Sequence, residues 1–137
     1  MTDFSIKSIG TVSSSLTDVA SAPRQADEGA PSACLIFNAE IAEGLRSIKV
    51  GDELVLLTWL DRARRDVLMV HPRGDVSRAQ EGVFSTRSPH RPNPIGLHRV
   101  TVCGIDRTRI EVQSLEAIDG TPIIDVKPVL NSNTEDR

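Results

Sequence analysis

"HRVTVCGIDRTRIEVQSL" (His98–Leu115) decides how this chain is read. Two runs, "HRVTVCGI" (98–105) and "RIEVQSL" (109–115), flank the turn-sized "DRT". Apolar and polar side chains alternate along both, the period of a half-buried strand, so the segment is expected to fold as a β-hairpin. Working outward, "FSIKSIGTV" (4–12) alternates loosely, while "ACLIFN" (33–38), "ELVLLTWL" (53–60) and "DVLMV" (66–70) are short, apolar and rich in Val, Ile and Leu. Asp119-Gly120 starts a further turn into "TPIIDV". Only "AEIAEGLRSI" (39–48) suggests a helix, and Gly44 limits it to a turn or two. Successive short strands joined by turns predict an all-β sheet or barrel, with one short helix and long loops. Residues 13–33, rich in Ser, Ala and Pro, form a long loop that wraps the domain or caps a site. The tail 131–137, "NSNTEDR", is expected to be disordered.

At 137 residues, 39% hydrophobic and 26% charged, the composition is that of one ordinary globular domain with a complete core. No apolar run approaches a membrane span, and "MTDFSIKSIG" does not have the pattern of a secretory signal. Cys34 and Cys103, the only cysteines, each sit in an apolar run. They are read as small buried hydrophobes in a cytoplasmic chain.

The net charge of −3 conceals a strong segregation. Between Arg62 and Arg99 stand eight arginines against three acids, while the rest of the chain carries eight cations against sixteen acids. Every cation of the positive segment is arginine, whose planar fork suits carboxylate and phosphate. Arg62, Arg64, Arg65, Arg73 and Arg78 are therefore candidates for nucleic-acid phosphates, with a solvated surface as the plainer alternative. Trp59, the only tryptophan, lies in an apolar run and is expected to pack in the core; stacking on a base is the alternative.

Inside that segment "GVFSTRSPHRPNPIGL" (82–97) carries three prolines, which fix φ and restrict the residues before them. Such a loop is a preformed wall, holding Arg87 and Arg91 toward an anionic group at little ordering cost. Gly96 would allow a close approach. His71, His90 and His98 are read as surface or hydrogen-bonded residues, with His90, inside the motif, the first to test. No G-x-G-x-x-G or Walker loop is present, and the histidines lack metal-ligand spacing, so no metal is expected.

Phe84-Ser-Thr-Arg-Ser-Pro-His-Arg-Pro-Asn-Pro-Ile-Gly96 and Asp119-Gly-Thr-Pro-Ile-Ile-Asp-Val-Lys-Pro128, with "APRQ" (22–25) after "IGTV" (9–12), resemble the TsaA-like family. Its characterised members are the TrmO-type tRNA methyltransferases. The similarity covers residues 4–130. It implies a small single-sheet β-barrel that forms a homodimer and binds S-adenosyl-L-methionine without a Rossmann frame. It also implies methyl transfer to N6 of threonylcarbamoyladenosine, the modified base beside the anticodon of certain tRNAs.

The resemblance implies a cofactor site of Pro23, Arg24, Gln25, Leu60, Asp61, Arg87, Leu97, Ser114, Leu115 and Glu116. In that site Arg87 or Arg24 would fork onto the cofactor carboxylate. Glu116 would accept from ribose hydroxyls or the ammonium, and Leu60, Leu97 and Leu115 would offer apolar surface to the adenine. Asp61, Glu116 and Asp125 are the candidate proton acceptors, with pairing to Lys127 the plainer role for Asp125. Asp61 stands where family members often carry histidine. The chain ends soon after the K-P motif, and the additional C-terminal region of many bacterial relatives is expected to be absent. Two other activities stay open: methyl transfer to another acceptor, and a non-catalytic module that binds the same cofactor.

Overall fold

A computed structural model describes residues 2–18 and 29–130. The described residues form eight strands: β1 (Gly10–Ser13), β2 (Ala33–Phe37), β3 (Glu53–Trp59), β4 (Met69–Val70), β5 (Glu81–Gly82), β6 (Ile95–Asp106), β7 (Arg109–Gln113) and β8 (Pro122–Pro128). Six of them close a barrel in the order β1-β2-β7-β6-β3-β8, with β8 returning to β1 and every pairing antiparallel. Closure leaves no edge strand unpaired.

The hairpin expected over 98–115 is β6–β7. It turns at Arg107-Thr108, with Asp106 opposite Arg109 and Arg107 in the left-handed region at φ 59°. Alternation decides the inside of the barrel. Gly96, His98, Val100 and Val102 of β6 are buried, as are Leu54, Leu56 and Thr58 of β3. Val100, Val102, Leu54 and Leu56 join one apolar cluster with residues of β1, β2, β7 and β8. At about 25 cal/mol per Å² of apolar area, this interior is the main favourable term holding the fold. Two bulges bend the wall: Cys103 is the extra residue of β6 against β7, and Ile124 that of β8 against β3. The turn expected at Asp119-Gly120 forms with Gly120 at φ 86°, a conformation that favours glycine.

Three expectations need correction. The strand read over 4–12 starts only at Gly10, because β2 and β8 supply partners from there on, and Phe4 and Ile6 are exposed. "DVLMV" contributes only β4, paired with β5 in a ribbon outside the barrel; Leu68 and Met69 face solvent. The short helix expected over 39–48 does form, as a 3-10 helix over Ala39–Leu45, with Ile41 and Leu45 packed against the core. Cys34 and Cys103 are free and half-buried rather than part of the core. Residues 19–28, which include Pro23, Arg24 and Gln25, and residues 131–137, expected to be disordered, lie outside the described residues. Among the described residues no helix is long and apolar enough to cross a membrane.

Candidate functional site

The end of β3 and the start of β6 build the region to which the motif residues belong. Leu57 lies opposite Leu97, Thr58 opposite Gly96 and Trp59 opposite Ile95. Beyond β3 the chain is held to the proline loop by a hydrogen bond from the Leu60 N–H to the Pro94 carbonyl (2.8 Å). The loop is then tied to residues 64 and 65. Arg91 N–H donates to the Arg64 carbonyl (3.1 Å), Arg64 N–H donates to His90 Nδ1 (3.0 Å), and Arg65 Nε donates to the Pro92 carbonyl (2.7 Å).

Arg91 does not face outward as expected. Its Nε donates to the Ser88 carbonyl (2.8 Å), and its Nη2 to the carbonyls of Val83 (2.8 Å) and Thr86 (2.5 Å). Prolines remove N–H donors from this loop, and the Arg91 fork supplies donors to the Ser88 and Thr86 carbonyls; the Val83 carbonyl also accepts from the Thr86 N–H and Oγ1. Arg87 is different. Its one hydrogen bond among the described residues runs from Nη2 to the Leu97 carbonyl (3.3 Å), and the guanidinium is exposed.

On the inner side of the wall, His98 is 6% exposed and both ring nitrogens are engaged. Nε2 lies 2.7 Å from Thr58 Oγ1, and Nδ1 is hydrogen-bonded to Glu116 Oε1. The second oxygen, Glu116 Oε2, is buried and has no hydrogen-bond partner among the described residues. Gly96 makes this packing possible: a Cβ there would stand 2.4 Å from Thr58 Oγ1 and 2.7 Å from His98 Nε2. Ser114, at φ 57°, turns the chain after β7, sending Leu115 into the core and bringing Glu116 to His98.

The candidates divide accordingly. Leu60, Leu97, Arg87, Ser114 and Glu116 gather around β6, with Leu60 Cδ2 only 3.1 Å from a Cβ built on Gly96. The Leu115 side chain is fully buried in the barrel core, so it offers no apolar surface to an adenine. Asp61 is exposed just past β3, without a side-chain partner among the described residues. Asp125 lies opposite Leu57, itself opposite Leu97, so these three share one outward-facing row; its carboxylate pairs with Lys127 Nζ at 3.2 Å.

Trp59 is also placed differently from the expectation. It is half-buried outside the core, with the Arg65 guanidinium 5.0 Å from its ring centroid. Arg64 pairs with Asp66 at 3.0 Å; the hydrogen bond raises the guanidinium's pKa and holds the carboxyl below the usual carboxylate range. Arg62 donates to the Thr17 carbonyl (3.2 Å). His98 is hydrogen-bonded, one of the two roles expected for it, but its burial and its partner Thr58 were not singled out in the sequence. The usable signal was strand position: a histidine in step with Val100 and Val102 must be buried, and a buried imidazole needs partners.

Residues 11–134 match the family described as tRNA-methyltransferase O N-terminal domain. The chain is 44% identical over 123 residues to an S-adenosyl-L-methionine-binding protein of Archaeoglobus fulgidus, covering 89% of this chain and 86% of that protein. A probable S-adenosyl-L-methionine-binding protein of the same organism is 41% identical over 123 residues, which are 90% of this chain and 33% of the relative. The crystal structure of TrmO from Pseudomonas aeruginosa superposes with a TM-score of 0.76 at 26% identity, covering 98% of this chain and 59% of that one. The chain thus spans a third of one archaeal relative and about three-fifths of the solved structure. It belongs to the tRNA-methyltransferase O N-terminal domain family.

Proposed function

We propose that this protein, through a domain spanning residues 4–130, is a cytoplasmic S-adenosyl-L-methionine-dependent methyltransferase. Its substrate is tRNA, and the methyl goes to N6 of threonylcarbamoyladenosine in the anticodon loop. The active form is a homodimer. The observation that carries the reading is the pair of unmet needs on either side of β6. Among the described residues, Arg87 on the outside has a hydrogen-bond partner for one guanidinium donor only, and Glu116 Oε2 on the inside has no donor. A zwitterionic amino-acid end and a hydroxyl-bearing ribose supply both partners, so the residues fit the cofactor.

Arg87 holds the carboxylate, Leu97 and Leu60 give apolar surface, and Glu116 accepts from the far half of the ligand. Pro23, Arg24 and Gln25 complete the site from the long loop, and the Ser114 and Leu115 backbone flanks it. When bound, the cofactor supplies a methyl group on a positively charged sulfur. The protein's share is to hold the acceptor nitrogen in line, keep water out and take the N6 proton. Of the three candidate carboxylates, Glu116 is hydrogen-bonded to His98 and Asp125 is paired with Lys127; Asp61, exposed and without a side-chain partner among the described residues, is the proton acceptor in this proposal. Exposed Arg62, Arg73 and Arg78 serve the tRNA backbone.

Mass spectrometry of tRNA nucleosides after incubation with protein and cofactor tests the reading. One added methyl on threonylcarbamoyladenosine is expected. Cofactor binding without any methyl on tRNA would instead leave a different acceptor or a binding module.

A further inference from the structure

Glu116 is held by an imidazole that reaches it from inside the barrel, and nothing in the proposed chemistry yet uses that imidazole. An ionised carboxylate only accepts, so His98 Nδ1 must carry the proton toward Glu116 Oε1. Nε2 is then free to accept the Thr58 hydroxyl proton, and an imidazolium would donate to the same oxygen. In either state both nitrogens are bound and the ring is fixed. Space for this arrangement exists only because residue 96 lacks a side chain.

We propose that His98 is a positioning residue of the cofactor site. Anchored by Thr58, it locks one oxygen of Glu116 and leaves Oε2 as a single, preorganised acceptor for a ribose hydroxyl. This rests on the function proposed above. A buried carboxylate oxygen without a donor is costly, and a ligand hydroxyl arriving there recovers that cost. The choice of ribose over ammonium follows from β6. Arg87 is attached at Leu97, whose side chain points outward, whereas Glu116 is attached to the inward side chain of His98. The ammonium and carboxylate of the cofactor share one carbon, so the ammonium stays with Arg87. The group that meets Glu116 belongs to the nucleoside half.

Calorimetry with two probes, S-adenosyl-L-methionine and methylthioadenosine, tests this on the full chain; the second probe has the ribose but no amino-acid end. His98→Ala is expected to weaken both probes about 10-fold, and His98→Asn, whose amide N–H replaces Nδ1–H, to regain most of that loss. Thr58→Val, which keeps the shape and removes the hydroxyl, should weaken both probes a few-fold and serves where His98→Ala does not fold. Arg87→Ala should weaken S-adenosyl-L-methionine and leave methylthioadenosine unchanged. Loss of the first probe alone in the His98 variants would overturn the ribose assignment. Wild-type affinity in folded His98→Ala, with Glu116→Gln still impaired, would overturn the role of His98 but keep Glu116. Failure of the wild-type chain to bind either probe would overturn the function itself.

Discussion

The guanidinium of Arg65 lies 5.0 Å from the centroid of the Trp59 ring while its Nε and Nη2 donate to the Pro92 carbonyl and Asn93 Oδ1 at 2.7 and 3.0 Å. One side chain thus clamps the proline loop onto the end of β3. A stack of this kind contributes about 0.5–1 kcal/mol at an exposed site, and each hydrogen bond a similar amount. Arg65→Ala is therefore expected to lower stability by about 1–2 kcal/mol in urea unfolding. It should also weaken S-adenosyl-L-methionine binding several-fold, because the wall behind Arg87 loses its brace. An unchanged unfolding midpoint would remove the clamp from the account.

Gly96→Ala tests the crowding between β3 and β6. The added methyl would fall 2.4 Å from Thr58 Oγ1, in a strand whose inner side is closed. Overpacking of this kind costs about 1–3 kcal/mol. The expected result is a lower melting temperature with loss of cofactor binding; wild-type stability would mean the barrel end gives way more easily than its packing implies.

The Cys103 thiol gives a prediction in pH. Burial, followed by the charge of nearby Glu111, pushes its pKa above the usual thiol value. The folded state therefore holds the proton more tightly than the unfolded chain. The contribution to stability is complete below the unfolded thiol pKa of about 8.5 and is lost as pH rises through the folded value. In a Cys34→Ser chain, alkylation of Cys103 should rise with a midpoint above that of a free cysteine. A midpoint at or below it would contradict the burial argument.

If tRNA is the substrate, its phosphates meet exposed arginines. Arg78→Ala and Arg62→Ala should each reduce the slope of log K against log salt by about one, across unrelated tRNAs. The measurement is filter binding at several salt concentrations, and unchanged slopes would place the RNA on another face.

Much of this architecture was legible in the sequence, and the failures have physical causes. The β6–β7 hairpin shows itself by alternation, because one face of each strand is buried in the barrel. β4 misled because an apolar run without a free sheet edge has nowhere in the barrel to pair, so Leu68 and Met69 stay in solvent. Arg87 and Leu97 came from the motif and do meet in space. Arg91, equally prominent in the motif, turns inward and donates to the Ser88, Val83 and Thr86 carbonyls. The burial of His98 follows from its place in an alternating strand, in step with Val100 and Val102, and not from its residue type.

The most direct test is a crystal structure of the protein with S-adenosyl-L-methionine bound. The cofactor carboxylate should lie on Arg87 beside Leu97, with a ribose hydroxyl on Glu116. Density for the cofactor in the serine-lined depression of Ser13, Ser32 and Cys34, or anywhere remote from Arg87 and Glu116, would contradict it.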